Sequence, residues 1–403
     1  MAVRAPPTGV RLSRRVADLP PSGIRRFFDL LANMEDVISL GVGEPDFATP
    51  WHIREAAIHS LERGYTMYTS NLGLPELRRA IADHLRRLYG VEYDPDDEVL
   101  VTVGVSEGLD LALRALLDPG DEVLIPEPSY VSYGPCTTLA GGEPVYVPTR
   151  AEDGFELDPE SLARRITRRT RAVLIGYPNN PTGAVMPREK LEAIVDLARR
   201  HGLVVISDEI YDRLVYGAPH VCVPALPGAR DVTVLLGGFS KSYAMTGWRI
   251  GYLCAPRDLV AGMVKIHQYG ALCAPIMSQK AAIEAIRSGE CDVREMVAEY
   301  DGRRRLLVHG LNELGLETFE PRGAFYAFPS IRSTGLTSEQ FAERLLREQH
   351  VAVVPGNAFG SSGEGYVRCC YATGTAGIAE AIERMKRFLV GRLEAQPGAG
   401  GDG

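Results

Sequence analysis

Only five of the 44 basic residues are lysines: Lys190, Lys241, Lys265, Lys280 and Lys386. Arginine stays protonated and cannot act as an amine nucleophile, so any covalent amine chemistry in this chain falls to one of these five. Lys241 stands out by its surroundings. It lies in Gly237-Gly-Phe-Ser-Lys-Ser-Tyr-Ala-Met-Thr-Gly-Trp-Arg-Ile-Gly251, directly after an apolar run, with the Ser240 hydroxyl beside it and Arg249 eight residues on. An amine at a strand end, small neighbours and a guanidinium suit an aldehyde ligand that also carries a phosphate. The competing reading is a surface lysine after a strand.

Two further segments end apolar runs with polar groups. Tyr177-Pro-Asn-Asn-Pro-Thr-Gly183 sets a rigid turn in which Asn180 can present an amide to a ligand oxygen, unless it is an ordinary strand-to-helix turn. Val204-Val-Ile-Ser-Asp-Glu-Ile-Tyr211 carries Asp208 and then Tyr211. Taken alone, an acid leaving a buried strand is more often the cap of a following helix.

These residues need a scaffold, and the apolar pattern supplies one. Short apolar runs occur at 99–103, 123–125, 145–147, 172–175, 203–206, 232–236 and 250–253, with helical periods between several of them, such as Leu191, Ile194, Val195 and Leu197. Continuously apolar strands separated by helices predict an α/β large domain whose mostly parallel sheet is sandwiched by helices. Leu74, Leu77, Ile81, Leu85 and Leu88 share one helical face, with Gly90 as the stop. After about residue 290 the pattern changes to charged helices, with Phe341, Leu345 and Leu346, then Ile378, Ile382, Met385 and Leu389, around short strands. We expect a smaller α+β domain there. The expected division is an extended N-terminal arm over 1–22, a large domain over 48–290, a small domain from 23–47 and 291–395, and a disordered tail over 396–403.

The 403-residue length exceeds what one core of a small binding module needs, and the net charge of −8 offers no basic field for nucleic acid or an anionic membrane. Seven cysteines without a CxxC pair fit neither a disulfide framework nor a zinc site. No apolar stretch is long enough to span a bilayer, and the Arg-rich start has no apolar signal core, so a cytoplasmic protein is expected.

Taken in order, the Asn-Asn-Pro-Thr-Gly turn, the Ser-Asp-Glu-Ile-Tyr strand end and Lys241 with Arg249 resemble the class I and II aminotransferases. These are pyridoxal-phosphate enzymes of fold type I, and the likeness is greatest to the aspartate and aromatic aminotransferases. Ile38-Ser-Leu-Gly-Val-Gly-Glu-Pro-Asp-Phe47 and Gly356-Asn-Ala-Phe-Gly360 extend the match over roughly residues 20–390. The resemblance implies that Lys241 holds the cofactor covalently and shuttles a proton. It makes Asp208 the partner of the pyridine nitrogen, Asn180 and Tyr211 hydrogen-bond partners of the ring's phenolate oxygen, and Tyr130 the ring-stacking aromatic. It gives the phosphate to Val105 and Ser106, at the start of a helix, with Ser240 and Arg249. It implies a homodimer with shared sites, in which Tyr68 reaches the neighbouring subunit's phosphate. Arg368 and the Gly43 backbone, with Asn180, are assigned to the substrate, whose α-carboxylate Arg368 grips in a fork. No metal is expected.

Two departures stand out. Gly238 occupies the position three residues before the lysine where many aspartate enzymes carry a phosphate-binding serine. The stretch Lys265 to Cys273, which corresponds to the source of a partner-subunit arginine in the best-known aspartate enzymes, contains none; His267 and Tyr269 could instead favour an aromatic substrate, or be plain helix residues. The expected function is transfer of the amino group of an L-amino acid, aspartate, aromatic or similar, to 2-oxoglutarate by a ping-pong route. A pyridoxal-phosphate C–S β-lyase is the nearest rival, and a catalytically inert effector-sensing domain the non-enzyme one. Gly41-Val-Gly-Glu-Pro-Asp46 lacks the third glycine of a dinucleotide fingerprint, and no histidine has metal-ligand spacing to another.

Overall fold

The structure is a computed structural model that describes residues 11–19 and 34–394. A short strand, β1 (Ile38–Ser39), precedes the strands of the main sheet: β2 (Val99–Thr102), β3 (Glu122–Glu127), β4 (Glu143–Pro148), β5 (Thr170–Gly176), β6 (Val204–Asp208), β7 (Thr233–Gly238) and β8 (Gly251–Cys254). Their order across the sheet is β2-β8-β7-β6-β5-β3-β4. Only β8 runs antiparallel to its neighbours. All seven apolar runs are strands.

Alternation along each strand explains the two helical layers. In β5, Ala172 and Leu174 join a core with Leu109, Leu113 and Met263, while Val173 and Ile175 join another with Leu191, Ile194 and Val195. The first core is roofed by helices Gly104–Leu116 and Arg257–His267, the second by helix Arg188–His201. Both faces are buried, so both strand positions must be apolar. A third layer, helices Trp51–Glu62, Pro75–Tyr89 and Ile276–Ser288, covers β2 and β8. In Pro75–Tyr89, Leu77, Ile81 and Leu85 are buried, each stabilising the fold by roughly 1.5–3 kcal/mol, and Gly90 ends the helix.

The C-terminal part is a smaller α+β assembly. Strands β9 (Tyr326–Ala327), β11 (Val354–Pro355) and β12 (Val367–Cys370) form an antiparallel sheet in the order β11-β12-β9, and β10 (Val351–Ala352) pairs with β1 in parallel. Helices Glu290–Glu313, Ser338–Gln349 and Thr375–Glu394 close its core, which contains Leu307, Phe341, Leu345, Ile378 and Met385. Phe328, Val354, Phe359 and Tyr366 belong instead to a core shared with the large sheet, so the two assemblies are welded along that edge. The N-terminal arm is not extended throughout: Arg14–Ala17 form a helical turn. Residues 1–10 and 20–22 of the arm, and the tail over 396–403, lie outside the described residues.

Candidate active site

The functional side chains collect at one edge because the parallel strands all end there. Asp208 is the last residue of β6, Asn180 follows β5, Ser240 and Lys241 follow β7, Tyr130 follows β3, and Val105 and Ser106 follow β2. Arg249 returns to the same edge because β8 runs the other way and Arg249 precedes it. Ligands of open α/β sheets bind at this edge. A cavity of about 630 Å³ lies there. It is lined by Gly43, Val105, Ser106, Tyr130, Asn180, Asp208, Tyr211, Ser240, Lys241, Arg249 and Arg368, eleven of the twelve residues singled out in the sequence. The twelfth, Tyr68, is 80% exposed and does not reach the cavity of its own chain.

The Lys241 amine donates to the Gly43 carbonyl at 2.7 Å. Burial pushes its pKa down to about 8, because the charged form loses its hydration. The segment that supplies Gly43 is pinned over the lysine: the Thr49 hydroxyl donates to the Ala244 carbonyl at 2.5 Å, the Trp248 indole donates to Thr49 at 2.9 Å, and Thr246 donates to Glu44 at 3.1 Å. Asp208 receives the Tyr133 hydroxyl at 2.8 Å on one oxygen and the Ile210 N–H at 3.2 Å on the other. A turn rather than a helix follows it, so the helix-cap reading has no helix to cap. Burial raises the Asp208 carboxyl to about 6, and the Tyr133 bond offsets part of that rise. Both of its hydrogen-bond partners are neutral. The carboxylate therefore lacks a hydrogen-bonded cation.

Arg368, on β12, is 3% exposed and held between the rings of Tyr326 and Phe359, whose centroids lie 4.5 and 4.9 Å from its guanidinium carbon. It donates to the Asn180 side-chain oxygen at 2.9 Å and to the Gly41 carbonyl at 2.7 Å, and its Nε is buried without a partner. With its oxygen engaged by Arg368, Asn180 keeps its NH2 donors for a ligand acceptor. The Tyr211 hydroxyl meets that of Tyr326 at 2.7 Å. Burial holds the Tyr211 phenol protonated, well above its ordinary pKa.

The start of helix Gly104–Leu116 lines the same cavity as Ser240 and Arg249. Arg249 sits in the left-handed region at φ 50°, uncommon for a residue with a side chain. Gly104 has φ 71°, and a Cβ there would lie 2.8 Å from Arg249 Nη2. A helix start, two hydroxyls and a guanidinium make an anion cradle. A side chain at Gly238 would meet the Ile210 tip at 3.0 Å and Val105 at 3.2 Å, so a serine there would require these neighbours to shift.

Tyr133, Tyr326, Glu44 and Thr246 also line the cavity, and sequence reasoning did not assign them. His267 does not face it: the ring is fully buried and bonds Glu107 at 2.8 Å, which removes it as a reader of substrate side chains. Tyr269 is 87% exposed and lies outside the cavity of its own chain. Among the described residues no cluster of three or more His, Cys, Asp or Glu side chains is arranged to hold a metal ion. No described helix is long and apolar enough to cross a membrane.

The family model described as aminotransferase class I and II matches residues 35–385. This chain belongs to that family. A Bacillus subtilis protein named as an aminotransferase is 53% identical, covering 94% of this chain and 98% of its own. An aspartate aminotransferase of Pyrococcus abyssi is 48% identical over 94% of this chain and 98% of its own. The crystal structure of an aromatic aminotransferase from Pyrococcus horikoshii superposes with a TM-score of 0.87 at 49% identity, covering 91% of this chain and 99% of that one. Class I and II aminotransferases are transferases that bind pyridoxal 5'-phosphate, and this aminotransferase has a site that fits the group. A buried acid without a hydrogen-bonded cation, an anion cradle and an amine of lowered pKa on one cavity match its pyridine nitrogen, phosphate and aldehyde.

Proposed function

We propose that this aminotransferase moves the amino group of an L-amino acid, aspartate, aromatic or similar, to 2-oxoglutarate in two half-reactions, with the amino group held on the enzyme between them. It does so as a homodimer in the cytoplasm; the seven unpaired cysteines support a reducing compartment. The observation that carries the reading is that the Arg368 guanidinium, with a buried Nε still unpartnered, opens onto the same cavity as the Lys241 amine. A substrate gripped by its α-carboxylate at Arg368 thus meets a proton-accepting amine.

When bound, pyridoxal 5'-phosphate supplies an aldehyde and an electron-withdrawing pyridine ring that accepts the electron pair of the substrate's breaking Cα–H bond. Asp208 holds the proton on the ring nitrogen, and Tyr133 orients Asp208. Asn180 and Tyr211 would donate to the ring oxygen, and Tyr130 would pack against the ring face. Val105, Ser106, Ser240 and Arg249 bind the phosphate. Lys241 would hold the aldehyde and, as a free amine, would be the group placed to take and return the substrate's Cα proton; its pKa of about 8 keeps a sizeable neutral fraction near neutrality. Three cationic side chains line the cavity, Lys241, Arg249 and Arg368, and each has one of these roles. The remaining lining includes Val42, Val131 and Ile210 with the acid Glu44, which supports aromatic over acidic side chains.

A donor screen with 2-oxoglutarate, read as 2-oxo acid formed, tests the proposal. Without an acceptor, each active donor is expected to release oxo acid only in proportion to enzyme, and aromatic donors to give a higher kcat/KM than aspartate. Sustained pyruvate release from cysteine or cystathionine, with no dependence on 2-oxoglutarate, would instead identify a β-lyase.

A further inference from the structure

The Gly356-Asn-Ala-Phe-Gly360 stretch has no role in the chemistry above, yet it bears directly on Arg368. It forms the connection between β11 and β12, and its Phe359 supplies one of the two aromatic faces against the guanidinium. The connection is fastened to the large sheet through a buried carboxylate. Glu127, the last residue of β3, accepts on one oxygen from the Ser361 hydroxyl at 2.9 Å, the Ser362 N–H at 3.0 Å and the Ser362 hydroxyl at 2.8 Å. Two residues along, the Ser129 N–H donates to the Phe359 carbonyl at 3.1 Å. Gly360, at φ 118°, lets the carboxylate in: a Cβ there would lie 2.1 Å from the Glu127 Oε1.

We infer that Glu127 is a positioning residue for substrate binding, which fixes the 356–363 connection so that Phe359 and Tyr326 hold the Arg368 guanidinium ready for the α-carboxylate. An arginine side chain free to rotate must be ordered when substrate binds, and a clamp formed in advance removes that penalty from every substrate equally. The carboxylate lies far along the chain from both Arg368 and the lysine, and it lines no part of the cavity. Its influence therefore falls on binding and leaves the proton transfer alone.

The inference rests on the assignment of Arg368 to the α-carboxylate, and the experiment separates the two. In the holoenzyme, Glu127→Gln and, separately, the Ser361→Ala/Ser362→Ala pair are expected to raise KM for every amino donor by a common factor of about ten, with kcat within about twofold of the parent. The dissociation constant of 3-phenylpropanoate, a carboxylate without an amino group, should rise by the same factor, while the absorbance of the bound cofactor stays put. Phe359→Leu, which leaves the anchor intact, should reproduce the effect. If Arg368→Ala weakens the carboxylate but the anchor variants do not, the inference about Glu127 fails alone. If Arg368→Ala leaves its affinity unchanged, the substrate assignment fails first. A comparable loss in kcat in anchor variants that fold would likewise overturn the positioning role, and should Glu127→Gln not fold, the serine pair decides.

Discussion

Burial acts on Lys241 and Asp208 with opposite signs, since it penalises whichever form is charged: the amine falls to about 8 and the acid climbs to about 6. The folded pKa of Asp208 is raised, so its contribution to stability is complete below its unfolded value and is lost as pH rises through about 6. For Lys241 the folded pKa is depressed, so its contribution is complete above the unfolded value and is lost as pH falls through about 8. Between these two values the cofactor-free protein carries both penalties. A cationic ring nitrogen against Asp208 relieves the first, so cofactor loading is expected to raise the melting temperature more at about pH 7 than at about pH 5. Part of that pH dependence belongs to the phosphate's own second ionisation, which Asp208→Asn leaves in place. The share that Asp208→Asn removes is the measure of the acid, and an identical pH dependence in both proteins would exclude it as the ring-nitrogen partner. Lys241→Ala should abolish amino transfer while the cofactor still binds non-covalently, seen as a changed absorbance band with retained phosphate. Turnover near the parental rate in that variant would remove Lys241 from the mechanism.

At the scale of elements, the strands and their stops were legible because each apolar run is bounded by turn residues and all but edge strand β4 are buried on both faces. Helix Pro75–Tyr89 was equally plain from its spacing and Gly90. Asp208, Asn180 and Lys241 could be placed at or just past strand ends for the same reason, while their roles were implied only by the family resemblance. Tyr133, Tyr326 and Glu127 could not. Tyr133 meets Asp208 across 75 residues only because β3 and β6 both flank β5 in the sheet, so chains leaving their ends converge, and that order is not written in either segment. Tyr326 and the 356–363 connection enter the site from a different sheet altogether. Helix Gly104–Leu116 shows how far backbone geometry then governs chemistry. Gly104→Ala forces a left-handed residue with a side chain, at roughly 1–2 kcal/mol, and drives its Cβ toward Arg249. The expected result is a cofactor dissociation constant raised about tenfold or more, with secondary structure by circular dichroism unchanged. An unaltered affinity would show that the phosphate is not held between this helix start and Arg249.

Seen whole, the described residues leave several large apolar side chains exposed that the core does not use. Trp51, Met67, Tyr68 and Tyr269 are 57%, 60%, 80% and 87% exposed. The segments carrying Tyr68 and Tyr269 touch, through the Asn71 amide donating to the Leu272 carbonyl at 2.8 Å. Exposed aromatics gathered in this way mark an interaction surface. In the proposed homodimer this surface would be covered, and the Tyr68 hydroxyl, absent from the cavity of its own chain, would serve the partner's phosphate cradle. In a twofold dimer each site then draws Lys241 from one subunit and Tyr68 from the other, which makes the arrangement testable by mixing defective chains. A dimer of one Lys241→Ala chain and one Tyr68→Ala chain has one site with both defects and one with neither. Random reassociation of equal amounts makes about half of the dimers mixed, so about a quarter of all sites are intact. At cofactor concentrations too low to load Tyr68→Ala dimers, activity should return to about that fraction of the parent when the two proteins are unfolded and refolded together. Recovery no greater than the sum of the separate samples would place Tyr68 outside the partner's site.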